Sequence, residues 1–336
     1  MVQRCPALTR AGNNVTTGTV LVTSRSFARA NPTPEIDLAA AGLTVVRAGP
    51  EHDPTELASI LPRAVAWIAG TSPVTRDLLN RAPNLRVVAR YGVGVDSVDL
   101  AAATLNGIWV TNTPGANTDA VADLAVALML DAVRHVSVSV AAVAAGEWSA
   151  RPGRELGAAT VGLVGFGRIG QAVARRVQSF GARVLACDPW LDTTPVPGVD
   201  LVDVTVIAQE CDIVSLHAPG GSTVADASWI ARMKPGATLV NTARGDLVDE
   251  QALAAAIRQG RIAGYACDTL AVEHASGQPS PLQAADLADR VLITPHLGAQ
   301  TAEAVTRMGQ MSARNVLAAL RGVVPPHPVN RPELNP

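Results

Sequence analysis

A chain of 336 residues is about twice the usual domain length, so two domains with separate cores are the expectation. Hydrophobic residues make up 48% and the net charge is only −2 with both signs scattered, which excludes a disordered chain and offers no basic stripe for nucleic acid or acidic membrane surfaces. Cys5, Cys187, Cys211 and Cys267 lie far apart with no C-x-x-C pair; they read as buried free thiols of a reducing cytoplasm, with no metal site.

The opening MVQRCPALTRAGNNVTTG has no periodicity and no apolar leader core, so residues 1–17 are expected to be poorly ordered. No run reaches the roughly 18 apolar residues of a membrane span. From Thr19 onward, short valine-rich runs alternate with alanine-rich helical stretches, the signature of parallel strands joined by crossover helices. TVLVTS, LTVVRA, AVAWIAG, LRVVARYG and IWVTN form one α/β unit. Asn112-Thr113-Pro114-Gly115 interrupts the pattern, and an apolar helix from about Thr118 to Val133 leads into a second unit. There ATVGLVG, ARVLACD, CDIVSLH, ATLVNTA, IAGYACD and RVLITPH predict six strands. A last helix after His296 ends at Gly322 and can return to the first unit. The expected fold is α/β: two doubly wound parallel-sheet domains, a discontinuous flavodoxin-like one (1–113 and 299–336) and a Rossmann one (114–298).

Within the second unit, VGLVGFGRIGQAVARRVQSFG carries G-x-G-x-x-G as Gly165, Gly167 and Gly170. That spacing alone is weak in a chain with 28 glycines. Its setting strengthens it: an apolar strand precedes, a helix follows, and the next strand ends at Asp188. Glycines allow the tight turn and let helix N-terminal amides approach a pyrophosphate. Asp188 suits the adenosine ribose hydroxyls, and it is followed by Pro189 and Trp190 rather than a cation for a ribose phosphate, which points to NAD over NADP.

In an open parallel sheet, ligands bind beyond the carboxyl ends of the strands. Those ends read Thr242-Ala243-Arg244-Gly245, then Asp268 with Glu273 shortly after, then His296. A guanidinium can fork onto a carboxylate and a carbonyl oxygen, and an imidazole can move a proton. A carboxylate beside that imidazole fixes its tautomer and stabilises its charged form. Singly, each residue is as readily a solvated or capping group. Together they suit hydride transfer on a hydroxy or oxo acid.

These residues sit in strings that resemble the D-isomer-specific 2-hydroxyacid dehydrogenases: YGVGVDSVDL, TNTPGANTDAVADLAV, AAGEWSARPGRELGAATVGLVGFGRIG, MKPGATLVNTARGDLVDEQAL, GYACDTLAVE and ITPHLGAQTAEA. The resemblance runs from about Thr19 to Asn330 and implies NAD-dependent interconversion of a D-2-hydroxy acid and its 2-oxo acid. It implies that Arg244 orients substrate, that His296 is the acid/base and that Glu273 is its partner. For the cofactor it implies Gly165, Gly167, Arg168, Ile169, Gly170, Asp188, Pro189, His217, Ala218, Pro219, Thr242, the Ala243 backbone, Asp268 and Thr118. For the substrate it implies Arg90 and the Val93-Gly94 loop.

The phrasing is closest to the phosphoglycerate dehydrogenases, in a short form without regulatory domain, through QSFGARVLACDP. The chain departs from them at Ala69-Gly70, at His274 after Glu273, and in the shortened stretch HAPGGSTVADASWIARMKPG. Glu273 argues against a formate dehydrogenase, whose relatives carry glutamine there. Two other readings are a specialised member acting on a phosphonate or phosphite-like anion, and an NAD-sensing co-repressor-like interaction protein. A homodimer through the helix near 118–133 is expected, as is a cytoplasmic location.

Overall fold

The computed structural model describes residues 17–273 and 279–332. Cys5, His274 and nearly all of the segment 1–17 lie outside the described residues. The chain divides into two compact units, Met1–Ala116 with Val305–Pro336, and Asn117–Ala304.

Unit 1 carries five parallel strands, β1 (Gly18–Val22), β2 (Leu43–Arg47), β3 (Ala64–Ala69), β4 (Val87–Arg90) and β5 (Trp109–Thr111), in the order β2-β1-β3-β4-β5. They coincide with the five valine-rich runs. Val20, Leu21, Trp67, Ile68, Val87 and Val88 are fully buried, as expected of strands covered on both faces. The C-terminal segment belongs to this unit: Tyr91 Oη donates to Val305 O (2.8 Å), Asn315 Nδ2 to Asn112 O (3.1 Å), and Val110 N to Asn330 Oδ1 (2.7 Å).

Unit 2 carries seven parallel strands: β6 (Thr160–Val164), β7 (Arg183–Cys187), β8 (Val199–Leu201), β9 (Ile213–Leu216), β10 (Ala237–Asn241), β11 (Ile262–Cys267) and β12 (Val291–Ile293). Their order is β12-β11-β10-β9-β6-β7-β8, so the direction of winding reverses at β6, between β9 and β7. That reversal opens a crevice at the carboxyl ends of β6 and β9. The sequence reading expected six strands here. The seventh, β8, is a three-residue edge strand, too short to show an apolar run.

The helix Thr118–Arg134 buries Ala120, Val121, Ala125, Leu128 and Met129 and packs against the helix Arg168–Ser179 and against β10 and β11. It ends at His135, a left-handed residue (φ 57), where the helix Val136–Ala144 starts and buries none of its residues. No single helix among the described residues is long and apolar enough to cross a membrane. Cys211 and Cys267 are buried, and burial pushes both thiols up to about 12. Cys187 departs from the buried-thiol expectation: as the last residue of β7 it is half-buried.

Candidate active site on the seven-stranded sheet

The glycine turn follows β6 at the reversal point. Gly165 has φ +90, and a Cβ there would lie 2.6 Å from Ala218 N and from His217 C, so only glycine lets the turn pass under the tip of β9. A Cβ at Gly170 would collide with Gly165 O, which keeps the helix close on the turn. At Gly167, by contrast, a Cβ would meet nothing within 4 Å, so that position faces open space. Gly167 is also the N-cap of the helix Arg168–Ser179, and no side chain caps it. Backbone amides of a first helical turn left open in this way are suited to an anionic group.

Asp188 stands at the tip of β7, accepting from Phe166 N (2.8 Å, Oδ2) and Trp190 N (3.0 Å, Oδ1). Each carboxylate oxygen keeps a second lone pair for a ribose hydroxyl. Pro189 and Arg168 are exposed, and Ile169 is half-buried. At the neighbouring tips of β9 and β10, His217 Nε2 and Thr242 Oγ1 are out of solvent and have no hydrogen-bond partner. His217 is half-buried as a residue, but the enclosure of its ring pushes its pKa down to about 4. Ala218 and Pro219 follow on the rim. A glycine cradle, uncapped amides and two orphaned polar atoms fit a bound dinucleotide, whose groups would satisfy them.

The residues expected from the sequence to react follow the tips of β10, β11 and β12. Arg244 follows β10, half-buried, its Nη1 donating to Ala243 O (2.8 Å). The Ala243 amide is already bonded to Asn241 Oδ1 (3.0 Å), which leaves the carbonyl as the backbone group with spare capacity there. A Cβ at Gly245 would collide with the Leu270 and Ala271 backbone, so the Arg-Gly turn sits directly under the chain that leads to Glu273.

His296 follows β12. Its Nδ1 lies 2.9 and 2.8 Å from the two Glu273 carboxylate oxygens, so the structure brings that predicted pair together across 23 positions. His296 is in the left-handed region (φ 50), uncommon for a non-glycine residue. Asp268 explains how it is held. Its carboxylate, 2% exposed, accepts from Thr294 Oγ1 (2.6 Å), Leu297 N (2.8 Å) and Gly298 N (2.8 Å), clamping the chain on both sides of the histidine. The sequence reading gave Asp268 a cofactor role only, and missed Thr294 and Gly298; the run Thr294-Pro295-His296-Leu297-Gly298, with a threonine and a glycine two positions either side of the histidine, was their one available signal.

The short stretch after His217 is tied down by Asp246, which accepts from Gly221 N (2.7 Å) at Oδ2 and from Thr223 Oγ1 (3.1 Å) at its carbonyl. Thr118 opens its helix at the start of unit 2, half-buried. In unit 1, Arg90 ends β4 and is buried, with Nη1 donating to Tyr91 O (3.0 Å). Val93 is exposed and Gly94 half-buried in the loop that follows.

Comparison with known proteins yields a match of residues 126–298 to the D-isomer specific 2-hydroxyacid dehydrogenase, NAD binding domain. The chain is 40% identical over 286 residues to D-3-phosphoglycerate dehydrogenase of Mycobacterium leprae, covering 83% of this chain and 53% of that protein. It is 39% identical over 267 residues to hydroxypyruvate reductase of Thermotoga maritima, covering 77% and 86%. It thus spans about half the length of the phosphoglycerate dehydrogenase and most of the reductase. Among solved structures, the TT0316 protein from Thermus thermophilus superposes with a TM-score of 0.82 at 38% identity, covering 93% of this chain and 100% of that one.

Proposed function

Because the chain belongs to the D-isomer-specific 2-hydroxyacid dehydrogenase family, a family of NAD-dependent oxidoreductases, we propose that it interconverts a D-2-hydroxy acid and its 2-oxo acid. The observation that carries the reading is the His296–Glu273 pair at the tip of β12, in the same sheet as the glycine turn. NAD, when bound, supplies the two-electron acceptor for the hydroxy acid, and its reduced form the donor for the oxo acid. Gly165, Gly167, Arg168, Ile169 and Gly170 would hold its pyrophosphate and Asp188 its adenosine ribose, with His217, Ala218, Pro219, Thr242, Ala243 and Asp268 along the remaining rim.

Arg244 orients the acid, its guanidinium forking onto carboxylate and carbonyl oxygen. Glu273 accepts the Nδ1 proton of His296, which leaves Nε2 as the atom that gives a proton to the carbonyl oxygen in reduction and takes one from the hydroxyl in oxidation. Asp268 holds the backbone of that histidine in its left-handed turn. For unit 1 the proposal is limited to Arg90, Val93 and Gly94 as substrate contacts.

The substrate is proposed to be a short acid of the hydroxypyruvate or phosphoglycerate type, since both kinds of activity name relatives at similar identity. Phosphorus-oxyanion oxidation and co-repressor function find no support among these relatives. We place the enzyme in the cytoplasm as a homodimer. The helix Val136–Ala144 supports the second copy: it exposes Val136, Val140 and Val143 and, with Tyr265 and Leu292, walls a cavity of about 460 Å³.

NADH absorbance followed with hydroxypyruvate and glyoxylate, and NAD reduction with D-3-phosphoglycerate, test the reaction class. Turnover on at least one acid, with NAD strongly preferred over NADP, is expected. NADH binding without turnover on any of them contradicts the reading.

A further inference from the structure

Glu250 opens the helix Glu250–Arg258 and is far in sequence from the reactive pair. Its two carboxylate oxygens point to different stretches of chain: Oε1 accepts from Ala271 N (2.8 Å) and Oε2 from Ser280 Oγ (2.6 Å). One bond lies two positions before Glu273 and the other beyond it, so a single side chain fixes the chain on both sides of the carboxylate that meets His296. Ser280 is itself held in place. It is 8% exposed, its Oγ accepts from Leu282 N (3.2 Å), and its amide donates to Gln283 Oε1 (3.0 Å) in a closed capping box. Ala271 is held from beneath by the Gly245 turn, where no Cβ fits.

We infer that Glu250 is a positioning residue for the acid/base pair: it sets where the Glu273 carboxylate stands and thereby how the His296 ring is aimed. The inference rests on the proposed roles of His296 and Glu273. A hydrogen-bonding partner of a reactive group's own support commonly matters to the rate because small displacements at the reacting atoms are costly.

The test compares Glu250→Ala, Glu250→Gln and Glu273→Gln by steady-state kinetics on the best oxo acid, by the pH profile of kcat, and by NADH titration. Glu250→Ala is expected to lower kcat about tenfold, with the NADH Kd unchanged and a pH profile displaced in the same direction as that of Glu273→Gln. Glu250→Gln keeps an acceptor for Ala271 N and a polar group for Ser280 Oγ, and is expected to recover most of the rate. A merely structural role would lower the melting temperature without moving the pH profile. If Glu273→Gln impairs turnover and both Glu250 variants match wild type, the positioning role is wrong and the acid/base reading stands. If Glu273→Gln itself is without effect, the acid/base reading falls first. Should Glu250→Ala not fold, Ser280→Ala, which removes one of the two bonds, decides: a lowered kcat with a displaced pH profile supports the positioning role, and a wild-type rate and profile overturn it.

Discussion

The two sheets are both parallel and both end in loops at their strand tips, yet the tips of β1 and β3 in one and of β9 and β10 in the other are finished differently. In unit 1 the tips of β1 and β3 and the chain after β2 are laced to one another. Pro73 O can only accept, so His52 Nδ1 donates to it (2.9 Å), and Nε2 accepts from the Thr23 hydroxyl (2.7 Å). Thr23 Oγ1 in turn accepts from Trp67 Nε1 (3.0 Å). In unit 2 the tips of β9 and β10 keep His217 Nε2 and Thr242 Oγ1 without partners, beside a helix start that no side chain caps. Buried polar groups are normally paired, so tips that close on one another are complete, whereas tips with open groups suit a ligand; in unit 1 the second kind occurs at the end of β5, where Thr111 Oγ1 and Thr113 Oγ1 are buried without a partner.

The contrast is broken most directly at its two glycines. Gly165→Ala forces a side chain onto a +90 backbone 2.6 Å from Ala218 N, and should weaken NADH binding by about a hundredfold in a fluorescence titration. Gly70→Ala puts a Cβ 2.9 Å from Thr23 O in unit 1; it should lower the melting temperature and leave the NADH Kd as it was. Equal effects of the two on NADH affinity would erase the distinction between the edges.

Acid sharpens it next. His217 is held near 4 against an ordinary 6.5 because its ring is desolvated, so between those values the unfolded chain binds a proton that the folded chain refuses. Stability is therefore undiminished above 6.5 and lost as the pH falls through the window, by roughly 2 kcal/mol at pH 5. His52 is lowered as well, chiefly by burial, and adds a loss of the same sign in unit 1. Urea unfolding at pH 7 and pH 5 measures the sum, and His217→Asn should remove the unit 2 share. The smallest expected change is at a purely structural cap: Asp99 Oδ1 accepts from Ala102 N (2.8 Å) at the start of the helix Leu100–Leu105, so Asp99→Ala should cost about 1 kcal/mol by thermal melting, with kcat unaltered.

What was legible in the sequence follows the same division between local pattern and long-range partnership. Strands buried on both faces announce themselves as valine runs, and a glycine turn between strand and helix is visible from spacing and setting. The positions of Arg244 and His296 just beyond strand ends were readable because the runs before them end there, and the contact of His296 with Glu273 was expected from the same pattern. Asp268 was seen, but its grip on Thr294, Leu297 and Gly298 was not, because those bonds join residues 26 to 30 positions apart with no periodic relation. Glu250, an acid in a first helical turn, carries no sign of its two partners in the sequence for the same reason. The helix Val136–Ala144 carries no amphipathic signal because only Val, Ser and Ala occupy its faces, and none of them is buried.

The central claim is that His296, aimed by Glu273, moves the proton in a reaction whose cofactor rests on the glycine turn. It is tested most directly by His296→Ala assayed beside wild type on the best 2-oxo acid at saturating NADH, with NADH affinity measured on the same samples. The expected result is a fall in kcat of about a hundredfold to ten-thousandfold with the NADH Kd unchanged. Turnover equal to wild type would contradict it.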